Sequence, residues 1–398
     1  MTVIGYIITM NIAELTAFVV RIPLRKKVKH ASHTRTETEN VIVRCTLEDG
    51  TVGYGEGVPR EYVTGESANS AIDLLKRSDL PAQFEPCATF IKAVELAERV
   101  QLAPVPGDSR GVGGNAAKCA VELSILDAFG RAYGEPLTTV TKIIAPELYQ
   151  FRDYVRYSGA ITSARGMKAR FAAWRMWIYR FKQVKLKLGI AGYDDLARLK
   201  TIRKRIGRST DLRVDVNEAW KPAEAVERIN ELEEFQVTSV EQPIPHADAD
   251  QLAGIRKRVK IPIMLDESLC GFVDARKAID NGLCDLFNLR LSKCGGFIPS
   301  LRLALLAKQA GLGYQLGCQI GESALLSAAG RHFACSVANI RYLEGSYDRH
   351  LVKESLSKQD ITFGWGGWAP MLSGIGLGVS LDLHALARVS LRKEVLKG

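Results

Sequence analysis

From about Tyr154 onward the chain alternates short apolar runs with amphipathic stretches of helical period, the pattern of repeated βα units. The runs are VRYSGAI, QVKLKLG, LRVDVN, SVEQPI, PIMLDES, LFNLRLS, GYQLGCQ and IRYLEG, and eight such strands predict a (β/α)₈ barrel. Upstream the period is different. AELTAFVVRIPL and NVIVRCTLEDGTVGYGEG read as antiparallel strands, the second a hairpin turning at Glu48-Asp49-Gly50, with a polar stretch RKKVKHASHTRTETE between them. SANSAIDLLKRS and FIKAVELAERVQ have helical spacing, and a long amphipathic helix, NAAKCAVELSILDAFGRAYG, stops at Glu135-Pro136. The expected fold class is α/β, a modified (β/α)₈ TIM barrel with an α+β capping domain. Residues 1–150 would form the cap and residues 151–360 the (β/α)₇₋₈ barrel with the catalytic site. Residues 361–398, which include GWGGWAPMLSGIGLGVSLD, would return to the cap.

Composition narrows the class. A chain of 398 residues with 46% hydrophobic and 25% charged content holds one barrel of about 250 residues plus a domain of roughly 100 to 150. No uninterrupted apolar run approaches the roughly 20 residues that span a bilayer. The opening MTVIGYIITMNIAELTAFVV lacks a basic n-region and is broken by Asn11 and Glu14, so it does not read as a secretory signal; Met10 is an alternative start. A cytoplasmic protein is expected. The eight cysteines sit among apolar or small neighbours, with no CxxC pair and no Cys/His ligand spacing, as buried reduced thiols do. The net charge of +10 admits a non-catalytic protein that binds nucleic acid, but the basic residues are scattered and no aromatic-interleaved motif accompanies them. An anionic small substrate explains the charge equally well. The loop VPGDSRGVGG imitates a dinucleotide fingerprint without the preceding strand that would make it one.

Candidate chemistry gathers at the strand ends. Asp215, Glu241 and Asp266 each close a short apolar run at intervals of one βα unit. A single acid there commonly caps a helix or meets solvent. Three in succession converge on one crater and suit a hard divalent cation, Mg²⁺ most simply. One strand earlier, Lys185 and Lys187 stand at i and i+2 and so point to the same side. Inside a barrel two adjacent ammonium groups depress at least one pKa, giving a lysine able to act as a base, whereas on a solvated edge strand they would mean little.

The YGEG of Tyr54 to Gly57, ELSILDAFGRAYGEPL, the KLK strand, DVN, EQP, DES, the KCGG turn and the terminal GLG together resemble the enolase superfamily, muconate lactonizing enzyme subgroup. The resemblance covers nearly the whole chain; the subgroup also contains dipeptide epimerases and o-succinylbenzoate synthases. It implies that Asp215, Glu241 and Asp266 ligate Mg²⁺, with Mn²⁺ as an alternative. It makes Lys187 the base that takes the proton α to a substrate carboxylate, with Lys185 beside it and the metal stabilising an enediolate. Asn217 would support the metal shell, Glu267 sits beside the third ligand, and Ser268 would cap the next helix. Two loops of the cap would close over the distal part of the substrate: the basic stretch containing Arg25, Lys26, Lys27, Lys29, His30, His33 and Arg35, and the segment Pro59 to Glu66, which contains Tyr62. The resemblance further implies a homo-oligomer.

One position departs from the family. Typical members carry a second catalytic lysine two residues after an inward Asn on the sixth strand, then another lysine in the KxGG turn. Here the inward residue is Asn288, the catalytic position is Arg290 and the turn lysine is Lys293. Arginine stays protonated at any accessible pH, which disfavours two opposed bases and leaves a one-base isomerase, cycloisomerase or syn-dehydratase. A racemase or epimerase is the alternative, if the site perturbs Arg290 enough to exchange a proton. The seventh-strand turn, Gly317 to Ser323 with Glu322, is one residue longer than usual. The eighth strand ends LEGSYD, without the Asp-x-Asp that marks many dipeptide epimerases. A carboxylate substrate with a second polar or anionic group is therefore expected.

Overall fold

The computed structural model describes residues 9–29 and 34–398. Strands Ile12–Lys29 and Thr34–Leu47 form a long antiparallel pair, Val52–Gly57 joins the second of them, and Ser390–Lys397 joins the free side of the first. The polar stretch read as a loop is the far end of this ladder, with Val28 opposite Arg35 and Lys29 opposite Thr34. The missed signal is the alternation of threonine with charge in TRTETE, which suits a pleated strand. His30 and His33 lie outside the described residues, as do the first eight. The segment Glu48–Gly50 makes the tight turn, with Gly50 at φ 84° donating to Leu47 O at 2.9 Å.

The three glycines of VGYGEG occupy one face of their strand and lie against helix Asn115–Tyr133. A Cβ on Gly53, Gly55 or Gly57 would stand 2.1, 2.1 or 2.0 Å from backbone atoms of Ala128, Ala120 or Ala116. Strand and helix therefore touch backbone to backbone, with small residues of the helix meeting the strand at four-residue spacing. Gly55→Ala is expected to destabilise the fold by about 3 kcal/mol, because overpacking here meets immovable backbone. A urea midpoint close to that of the parent chain would rule this packing out.

Eight parallel strands follow in chain order around the barrel: Gly159–Ile161, Gln183–Lys187, Asp211–Asp215, Val237–Glu241, Ile263–Leu265, Leu286–Leu289, Gly313–Leu316 and Ile340–Leu343. Ser158 N donates to Leu343 O at 2.8 Å and joins the last strand to the first. The run VRYSGAI divides here: Tyr154–Arg156 leaves the barrel to pair with Trp368–Pro370, and only Gly159–Ile161 enters it.

Buried carboxylates of the cap fasten it to the C-terminal ends of the strands. Glu56 accepts from Asn40 Nδ2 at 2.7 Å and from Ser323 N, Ser323 Oγ and Leu326 N at the start of helix Ala324–Ser336. Glu122 accepts from Phe297 N at 2.6 Å and Ile298 N at 2.9 Å, where helix Phe297–Gln309 begins after the KCGG turn. Asp127 holds Tyr54 N and Leu377 N at 2.9 and 2.7 Å. Carboxylates at helix N-termini satisfy free amides and favour the dipole. The amides of Ala116 and Ala117, which follow the GVGG loop, are likewise taken up by Glu66. Among the described residues no helix is long and apolar enough to cross a membrane, and the eight cysteines are free, all but Cys318 buried.

Candidate active site

The parity of the second strand sends Lys185 and Lys187 into the barrel, and the third strand sends Arg213 and Asp215 there by the same rule. Lys185 Nζ stands 3.3 Å from Asp215 Oδ2, 3.4 Å from Glu241 Oε2 and 2.8 Å from Glu344. Lys187 Nζ donates to Asn217 Oδ1 at 2.6 Å and lies 3.6 Å from Asp215 Oδ2. Across the barrel, Arg290 follows the end of the sixth strand, and its Nη2 reaches Asp266 Oδ2 in a short contact and Glu241 Oε1 at 3.4 Å. Asn288 Nδ2 donates to the same Glu241 oxygen at 2.8 Å. Lys293 Nζ is fixed between Asp266 Oδ1, Asp266 O and Asn288 O at 2.9, 2.7 and 2.8 Å. The carboxylates of Asp215, Glu241 and Asp266 are thus linked in a row through Lys185 and Arg290.

Charge states follow from this compensation. Burial works against the Lys185 ammonium, but Glu241, Glu344 and Asp215 outweigh it and hold its pKa well above the ordinary lysine value. The nearest charges to Lys185 are carboxylates. Arg290 is likewise disfavoured by burial yet held well above its usual value by Asp266, Glu241 and Glu267. Burial raises Glu241 to about 7, with Asp215 adding to the effect, and burial together with Asp266 and Asp215 pushes Glu267 up strongly. Glu344 goes the other way, because Lys185 and Arg213 overcome its burial and hold it at about 2.

A cavity of about 270 Å³ opens above these groups. Lys185, Lys187, Asn217, Glu267, Arg290 and Glu344 form its floor side; Lys26, Lys27, Val28, Tyr62, Glu322 and His350 line the remainder. Glu322 is raised to about 8 by burial and accepts from Gln319 N at 2.5 Å. Arg25, expected at the mouth, instead donates from Nε to Val352 O at 3.0 Å and ties the cap strand to the barrel; its neighbours Lys26 and Lys27 face the cavity. Ser268 is not a helix cap: helix Phe272–Asp280 begins after Gly271, and the Ser268 hydroxyl accepts from Gln242 Nε2 at 2.7 Å. Gln242 Oε1 in turn accepts from Asp266 N and Ser268 N, fixing the loop that carries Asp266.

Sequence reasoning missed Glu344 and Arg213. Arg213 is fully buried, donates to Glu344 Oε1 at 2.5 Å and lies over the Tyr342 ring at 4.7 Å. Both signals were present: Glu344 closes IRYLEG as the other acids close their runs, and Arg213 shares the inward parity of Asp215.

Three carboxylates from adjacent strand ends are an all-oxygen donor set that fits Mg²⁺. Among the described residues, however, no group of three or more His, Cys, Asp or Glu is gathered as an ion-holding cluster. Side-chain cations stand between the acids instead, Lys185 between Asp215 and Glu241, and Arg290 between Glu241 and Asp266.

The capped barrel carries a ring of acids and lysines at its strand ends, bordering the cavity. Residues 168–385 match the family model described as Enolase C-terminal domain-like, and residues 12–140 match Mandelate racemase / muconate lactonizing enzyme, N-terminal domain. The chain belongs to the enolase superfamily, in the mandelate racemase/muconate lactonizing enzyme family. It is 30% identical to N-succinyl-L-Arg/Lys racemase of Bacillus cereus over 84% of this chain and 87% of the relative. The solved structure of that racemase superposes with a TM-score of 0.84 at 26% identity, covering 97% of this chain and 99% of the other. Muconate cycloisomerase 1 of Rhodococcus opacus is 28% identical over 95% of this chain and 98% of its own. A dipeptide epimerase of Cytophaga hutchinsonii, solved with Mg and D-Ala-L-Val, superposes at a TM-score of 0.82 with 25% identity over 97% of this chain and 100% of that one.

Proposed function

We propose that this enzyme abstracts the proton α to a substrate carboxylate with a single base, Lys187, and completes an isomerisation, cycloisomerisation or syn-elimination on the same face. The observation that carries the reading is Arg290. Strands two and six face each other across an eight-stranded barrel, so Arg290 stands opposite Lys187, and a guanidinium keeps its proton at any accessible pH whether or not Asp266 and Glu241 hold it. A permanently protonated group can stabilise developing negative charge but cannot accept a proton from the second face. Lys187 lines the cavity, and its Nζ is held by Asn217 Oδ1 at 2.6 Å. A Mg²⁺ ion held by Asp215, Glu241 and Asp266 would supply Lewis-acid charge against the substrate carboxylate. Lys26, Lys27 and His350, at the other side of the cavity, suit a second anionic group on the substrate.

The second reading, a racemase or epimerase, is favoured by what the relatives in Bacillus cereus and Cytophaga hutchinsonii are named for. Incubation in heavy water with N-succinyl amino acids, dipeptides and unsaturated diacids separates the two. The one-base reading expects Mg²⁺-dependent α-deuteration or product formation without inversion. Inversion of configuration by the parent chain would overturn it. Arg290→Lys is expected to introduce exchange from the opposite enantiomer, at a rate at least about tenfold above the parent, since a lysine can reach the neutral state.

A further inference from the structure

The cations bound to the acid row are not equally fixed. Lys293 is completely buried and shared with two backbone carbonyls, and Lys185 is anchored to Glu344. Arg290 is different: it engages the acids through Nη2, and its buried Nε has no hydrogen-bond partner among the described residues. A buried guanidinium nitrogen without an acceptor is costly unless a ligand completes it. Meanwhile both oxygens of Asp266 already face cations, Lys293 on Oδ1 and Arg290 on Oδ2, and Glu241 Oε1 is shared by Arg290 and Asn288. A divalent ion and this guanidinium therefore compete for the same oxygens.

We propose that Arg290 is an exchangeable counter-ion of the metal site: it holds Glu241 and Asp266 in the metal-free protein, leaves them when a divalent cation binds, and is then free to meet an anionic group in the cavity. This rests on the reading of Asp215, Glu241 and Asp266 as metal ligands. Two consequences follow from linkage. Removing the guanidinium strengthens metal binding, and metal and substrate-like anions strengthen each other's binding by equal factors.

The test is titration calorimetry with Mg²⁺ and Mn²⁺ on the chelator-stripped full chain, for the parent, Arg290→Met and Arg290→Lys, without and with succinate as the anion probe. Expected are a metal Kd at least about tenfold lower in Arg290→Met than in the parent, and a parent Kd lowered by succinate, with that succinate effect smaller in Arg290→Met, where only direct ligation of the metal by succinate remains. Thermal unfolding gives an independent reading: the upward shift in Tm on adding Mg²⁺ should be larger for Arg290→Met than for the parent. If Arg290→Met does not stay folded without metal, the same comparison is made by chelator competition from the metal-loaded protein, and Arg290→Lys supplies the folded control. Equal or weaker metal binding by Arg290→Met overturns the exchange while leaving the metal reading intact. Absence of divalent binding in the parent and both variants overturns the metal reading itself.

Discussion

Lys187→Ala is expected to lower turnover by roughly 10²- to 10⁴-fold, the range that positioned proton transfer contributes, with the unfolding midpoint little changed. The asymmetry arises because Lys187 is a wall of the cavity rather than part of the packed charge cluster. Its ammonium has one close partner, Asn217 Oδ1 at 2.6 Å, and a more distant one in Asp215 at 3.6 Å. Removing it leaves Asp215 still compensated by Lys185 at 3.3 Å. Lys185→Ala, by contrast, strips a shared cation from three carboxylates and should damage stability as well as rate. Deuterium exchange into the substrate measured beside urea unfolding distinguishes the two variants. A Lys187→Ala protein that exchanges within tenfold of the parent would show that the base lies elsewhere.

Glu344→Gln is expected to be among the most destabilising isosteric changes in the barrel, by about 3 to 5 kcal/mol, because breaking one side of a buried ion pair strands the other. The stranded group is Arg213, fully buried and held by Glu344 Oε1 at 2.5 Å, while Lys185, at 2.8 Å, loses one of its three carboxylates and keeps Asp215 and Glu241. Ser158 Oγ at 3.2 Å and the Tyr342 ring are too weak a substitute for a carboxylate. A companion Arg213→Met should restore part of the loss, since it removes the uncompensated cation, and a double-mutant cycle in urea reads the coupling. A loss below about 1 kcal/mol for Glu344→Gln would mean that water or rearranged side chains replace the carboxylate.

Much of the site was legible before folding. Asp215, Glu241 and Asp266 are readable because a strand of period two ending in an acid delivers that acid to one end of a barrel, whatever the loops do. Lys185 and Lys187 are readable for the same reason. Glu344 obeys the same rule at the end of its own strand run, IRYLEG. Arg25 and Ser268 were not readable in this way: Arg25 lies in the stretch of the first strand where the pairing register shifts between Pro23 and Val28, Ser268 lies beyond the end of its strand, and their partners, Val352 O and Gln242, lie 327 and 26 residues away.

The sequence alone therefore determined which side chains enter the barrel, because strand parity is a local property of alternating residues. It also determined that one face of the site carries an arginine in place of a lysine. What only the tertiary structure decided is how those charges share one another. Burial removes water as a partner, so each ion must find its compensation among groups from distant strands: Lys185 with Glu344, Arg213 with Glu344, and Arg290 across Glu241 and Asp266. No periodicity encodes that pairing, since it depends on which side chains are nearest once the eighth strand has closed against the first.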